Sequence, residues 1–122
     1  MATGWGATAG NAALTAQAAA YPWVKLHTGS PGAAGTSNAA AETTRKQATW
    51  GTAAGGTIAN TNALQWTSVA GAETYTHFTT WSDVSAGSFG FSGTISASGA
   101  VAIGDNFTVA IGALTATLVL AS

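Results

Sequence analysis

Nine side chains carry nearly all the ionisable chemistry of this 122-residue sequence: His27, His77, Glu42, Glu73, Asp83, Asp105, Lys25, Arg45 and Lys46. Hydrolysing a glycoside takes two carboxylates facing one substrate. Asp83 and Asp105 are the obvious pair, but both sit in turn contexts. Asp83 precedes Val84-Ser85-Ala86-Gly87 and Asp105 follows Gly104, where an aspartate carboxylate takes up nearby backbone amides. His27 and His77 fall short of a metal site, which needs three or four ligands held by supporting partners. There is no cysteine and no third histidine, so Asp83 would have to serve as a third arm. The plainer expectation is that each neutral imidazole donates one hydrogen bond from a strand to a loop carbonyl. No Gly-x-Ser-x-Gly elbow is present, and Gly29-Ser30-Pro31-Gly32 lacks the lysine of a phosphate-binding loop. The expectation is a non-enzymatic chain with no catalytic residue, no bound metal and no cofactor.

The composition points the same way. Only 6% of the residues are charged and the net charge is −1, against about 25% charged residues in ordinary soluble domains. A folded chain of this size exposes roughly 6,000 Å², leaving about 850 Å² for each Lys, Arg, Asp or Glu. Monomers seldom leave such wide areas uncharged unless neighbours cover them. Three basic residues cannot neutralise a phosphate backbone, so nucleic acid is excluded as a partner. No apolar run approaches the ~20 residues needed to span a bilayer. The start, Met1-Ala2-Thr3-Gly4-Trp5, has neither the basic flank nor the apolar core of a signal peptide.

The elements that must hold these residues are mostly strands. Asn11 to Ala20 is alanine-rich and reads as one short helix, with Thr8 or Asn11 as its cap and Pro22 as its stop. From Trp23 onward period-two patterns dominate. Strands are expected over residues 23–28, 43–50, 58–69, 73–81, 89–95, 101–103, 107–111 and 114–120, with an apolar-poor tip at residues 29–42. Short strands with regular turn signals and no helices between them predict an all-β fold. The form is an antiparallel β-sandwich or jelly-roll-like barrel of about seven or eight strands with one short N-terminal helix. Residues 1–22 form an arm and helix, and residues 23–122 the β-sandwich domain. The predicted core is Leu26, Leu64, Trp66, Phe78, Phe89, Phe91, Ile103, Phe107, Val109, Leu114 and Leu118.

The run from Val24 to Asn38, Val-Lys-Leu-His-Thr-Gly-Ser-Pro-Gly-Ala-Ala-Gly-Thr-Ser-Asn, is followed by Thr43-Thr44-Arg45-Lys46-Gln47-Ala48-Thr49-Trp50. Together they resemble a family of small bacteriophage tail-fibre or minor tail proteins, which typically read V-x-L-H-T-x-x-P-G-x-A-G-T-x-N. Thr74-Tyr75-Thr76-His77-Phe78 with Trp81 is similar to that family's T-x-T-H-x-x-x-W segment, and Gly104-Asp105-Asn106-Phe107-Thr108 to its G-D-x-F-T segment. The resemblance implies a virion structural subunit, made in the host cytoplasm and placed in the phage particle. Its partners would be copies of itself and other virion proteins, in the tail or on the major capsid protein.

Two other roles suit a small neutral β-rich chain: a capsid decoration protein cementing the lattice, and a carbohydrate-binding module for host attachment. In the second, Trp50 or Trp81 would stack on sugar rings. Sparse surface charge predicts self-association, with a closed trimer as the natural form. The candidate interface residues are Trp5, Leu14, Pro31, Arg45 and Lys46. Trp5 anchors the N-terminal arm in a groove, on this subunit or its neighbour. Pro31 shapes the tip, either a loop of no consequence or an ordered arm on a neighbouring subunit. Arg45 and Lys46 are solvated strand-edge charges or reach acidic groups on a partner.

Overall fold

A computed structural model of the chain describes residues 5–96 and 100–118. Helix α1 (Ala7–Ala20) comes first, then β1 (Trp23–His27), β2 (Lys46–Gln47), β3 (Thr57–Ala59), β4 (Leu64–Trp66) and β5 (Glu73–Thr74). β6 (His77–Trp81), β7 (Phe89–Ile95), β8 (Ala100–Val101), β9 (Phe107–Val109) and β10 (Leu114–Thr117) complete the order. Six strands form one sheet in the order β2-β1-β6-β7-β10-β3, while β4 pairs with β9 and β5 with β8. All of these pairings are antiparallel. The result is the expected mostly-β, sandwich-like fold with one short helix, its strands shorter and more numerous than the sequence predicts.

Register explains where the core lies. Val24 faces Thr80 and Leu26 faces Phe78 across β1 and β6. Directly opposed residues share one face of a sheet, and all four are fully buried. The β4–β9 ladder sends Leu64, Trp66, Phe107 and Val109 into the same core. Tyr75 joins them edge-on to Phe107, with ring centroids 4.8 Å apart. Gly93 makes close approach of the strands possible, because a Cβ there would fall on the Thr115 carbonyl of β10 and press on the Phe78 ring.

The helix is part of this packing. Gly10, Leu14 and Ala18, spaced four apart, are its buried residues. Neither Thr8 nor Asn11 caps it: it begins a turn earlier, after Gly6, with no side-chain cap. Asn11 is drawn instead to the 53–56 turn, where Oδ1 accepts the Gly56 N–H at 2.9 Å. Thr15 Oγ1 accepts the Ala53 N–H at 3.0 Å, so two helical side chains moor α1 to that turn. The helix closes as expected just before Pro22, its last amide bond running from Tyr21 to the Gln17 carbonyl.

Two expected strands are each broken into two. The 58–69 stretch bends at Asn60, only 2% exposed. Its Nδ2 donates to the Asn62 and Ala110 carbonyls, and its Oδ1 accepts the Gly112 and Leu114 amides. That uses all four hydrogen-bonding positions of an asparagine side chain, and it ties the corner to the loop between β9 and β10. The 73–81 stretch crosses layers at Tyr75-Thr76. Glu73 and Thr74 pair with β8, whereas the Thr76 amide already bonds the His27 carbonyl beside the large sheet.

Ile103 does not belong to the core; it is 71% exposed. The Asp105 carboxylate accepts the Ala102 N–H at 2.9 Å, and the Asp105 N–H returns to the Ala102 carbonyl. This tight turn follows β8 immediately and carries Ile103 outward. Phe89, Phe91 and Leu118 are half-buried rather than enclosed. The closing strand ends at Thr117; its expected continuation to Leu120, like the arm's first four residues, lies outside the described residues.

Loops cover the β3 edge of the large sheet and the stretch of β1 that the two-residue edge strand β2 leaves open. Beside β1, the Ala40 N–H reaches the Leu26 carbonyl and the Thr28 N–H reaches the Asn38 carbonyl. Beside β3, the Gly51 N–H reaches the Ala59 carbonyl, and Ala54 and Thr57 exchange a pair of backbone bonds.

Candidate functional site

The residues with chemical potential are engaged within the chain. His27 is fully buried on the sheet face opposite Leu26. Its Nδ1 lies 2.8 Å from the Ser37 carbonyl and its Nε2 lies 2.9 Å from Thr79 Oγ1. A carbonyl only accepts, so Nδ1 carries the proton and Nε2 accepts from the Thr79 hydroxyl. The Trp81 indole N–H in turn donates to Thr79 Oγ1 at 2.8 Å. Burial is the largest influence and holds the imidazole below its ordinary pKa; the Ser37 carbonyl opposes this and Lys25 adds to it. His77, opposite His27 in register, bonds the Thr76 hydroxyl at 2.9 Å. The strand-to-loop role expected of the histidines therefore holds for His27, and His77 makes a local bond instead.

All four carboxylates accept backbone amides. Glu73 takes those of Ala41 and Glu42, and Glu42, itself buried, takes that of Thr44. Asp83 takes the amide of Val84 and Asp105 that of Ala102. Asp83 and Asp105 thus fill the turn roles expected of them. Burial first, then the charges of Glu73 and Glu42, push the Tyr75 phenol up to about 12. Among the described residues the Tyr75 hydroxyl has no partner within hydrogen-bonding geometry, Glu73 contributing only a weak polar influence. Among the described residues no group of three or more His, Cys, Asp or Glu could hold a metal ion, and no helix is long and apolar enough to cross a membrane.

The candidate interface residues separate into two regions. Trp5 and Leu14 line one groove of about 230 Å³, together with Gln17, Phe91, Thr117 and Leu118. Leu14 is buried at its base, while Trp5 remains 50% exposed at its wall. Trp5 is thus placed against its own subunit. Around the helix, Ala9, Ala12, Ala16, Ala19 and Ala20 stay exposed, and residues 1–24 contain no charged side chain.

The second region gathers Pro31, Arg45 and the 29–42 loop at the other side of the fold. The loop folds over its own sheet, with Pro31 and Gly35 buried. Gly35 has φ +73°, and a Cβ there would stand 2.6 Å from the Phe89 ring, so only glycine fits both the backbone and the space. Arg45 is no free edge charge. Its Nη1 donates to the Asp83 and Ala86 carbonyls at 2.9 and 2.6 Å, and its guanidinium lies 4.5 Å from the centre of the Trp81 ring. Lys46 stands half-buried on the edge strand β2, beside Glu42, Thr44 and Trp66.

Sequence reasoning missed three exposed apolar positions: Ile103, Ile111 at 68% and Val84 at 50%. Turn glycines and aspartates next to each of them carried the signal, since a tight turn throws its central side chain outward. The two tryptophans named for sugar stacking each have a ring neighbour already: Trp50 stacks on Phe78, and Trp81 lies against Phe89 with Arg45 over its ring.

A family model described as Podophage GP4 fiber I protein gp80 matches residues 3–117 of the chain. No curated protein matches it.

Proposed function

The chain belongs to the podophage GP4 fiber I protein gp80 family, and from that premise we propose that it is a non-enzymatic fibre subunit whose copies pack against one another. It is a virion structural protein of the tail-fibre type, and its partners are other virion proteins. In the finer reading its copies close into a trimer, and residues 1–22 act as an arm on the domain formed by residues 23–122. The observation that carries the proposal is the chain's surface. Trp5, Val84, Ile103 and Ile111 are exposed together with the uncharged face of α1. The charged side chains that usually keep a monomer apart are scarce. Labelling this protein in imaged particles tests the reading. Density on a fibre supports it, whereas a regular array over the capsid lattice would replace it with the decoration role.

A further inference from the structure

The hydrogen bonds around His27 run in one direction. Trp81 Nε1–H donates to Thr79, the Thr79 hydroxyl donates to His27 Nε2, and His27 Nδ1–H donates to the Ser37 carbonyl. His27 and Thr79 are fully buried, so these donors and acceptors have no water to turn to. Ser37 belongs to the 28–40 loop, which is fastened at its ends by Thr28 N–H to Asn38 and Ala40 N–H to Leu26. Its middle rests on the Phe89 ring through Gly35.

We propose that His27 is a proton-operated latch whose protonation at Nε2 releases the 28–40 loop from the face of the sheet. An N–H bond forms at Nε2 with a proton from solvent, and the hydrogen bond from the Thr79 hydroxyl is lost. Thr79 Oγ1 then meets two donors, Trp81 Nε1–H and His27 Nε2–H, and its own proton is left without an acceptor. A buried donor without a partner is unfavourable, and a buried unpaired charge more so. The Ser37 and Asn38 carbonyls favour the imidazolium, but burial outweighs them, and among the described residues no opposite charge faces the ring. Lys25 on β1 and His77 on β6 are both basic, residues 89–95 of β7 carry no charge, and the loop carries none before Glu42. Glu42 is committed to the Thr44 amide, and Arg45 beyond Trp81 is positive. Lifting the loop exposes the imidazolium to water and uncovers Phe89.

Amide hydrogen exchange of the intact protein, corrected for intrinsic rates, tests this between neutral pH and about pH 5. Protection of the Thr28, Ser37 and Ala40 amides should fall roughly tenfold or more, through an opening that leaves the β7 and β10 amides better protected than the loop at every pH. His27→Gln should abolish the pH dependence, and His77→Gln should keep it. Should His27→Gln fail to fold, the wild-type profile and His77→Gln still decide. Loop protection that does not change with pH, or that equals that of β7 and β10 at every pH, overturns the latch, as does loss of the pH dependence in His77→Gln.

Discussion

At the scale of single residues, the polar interior sets the sharpest tests. Asn60 fills a corner with four hydrogen bonds, one of them to the amide of the fully buried Leu114. Asn60→Ala leaves that amide and two carbonyls without their partner and should cost about 2–3 kcal/mol in urea denaturation. Tyr75 is the opposite case. Its hydroxyl is buried without a partner, so Tyr75→Phe removes only an unsatisfied group and should leave the melting temperature unchanged or higher. His27 sets the acid limit of stability. Its folded-state pKa lies below the unfolded value of 6.5, so the unfolded chain binds the proton first as pH falls. The stability its neutral form contributes is complete above that unfolded value and is lost progressively as pH drops toward the folded one. Denaturation midpoints measured down to about pH 5 should decline in the wild type and much less in His27→Gln.

At the scale of elements, close strand packing gives the next test. Gly93→Ala puts a methyl group onto a carbonyl of the neighbouring strand, and backbone cannot yield as a flexible side chain can. It should cost about 3 kcal/mol or more, or prevent folding, as judged by circular dichroism and thermal melting. Period-two alternation and turn residues made β1, β7 and the β4–β9 pair legible in the sequence, because those signals are local. Val24, Leu26, Leu64 and Trp66 show it: each alternates with a more exposed neighbour. Asn60 and the Tyr75-Thr76 crossing were not legible. Tyrosine and threonine favour strands and a single asparagine does not say where a chain bends, and the partners that bend the chain there lie far along it, at Ala110 to Leu114 and at His27. Ile103 failed for a related reason: hydrophobicity marked it as core, but the Ala102–Asp105 turn decides its direction. The place of Trp5 along a groove was legible, because a lone tryptophan among small residues needs one. Arg45 was not, since its ring and carbonyl partners come from residues 81–86.

At the scale of the whole molecule, the exposed apolar residues and the uncharged helix face set behaviour in solution. At neutral pH and high concentration, light scattering should report a mass above that of the monomer; a freely soluble monomer would count against packing between copies. Removing residues 1–10 takes away Trp5 and the first helical turn, uncovering Phe91 and Leu118 in the groove. The strands should stay folded by circular dichroism, while incorporation into particles falls; full occupancy would show that the arm is not an attachment device. The edges of the large sheet, one covered by a loop and the other only two residues long, carry a consequence for how copies could join. An open edge recruits another strand, which presents an open edge again, and such growth has no natural end. Here the loop after Trp50 occupies that position beside β3, and on the opposite side only the two residues of β2 stand at the edge. Recruitment by backbone is therefore stopped on one side and held to a two-residue stretch on the other. In the packing proposed above, contacts between copies rest on side chains over a finite patch; such contacts saturate, so geometry rather than supply sets their number.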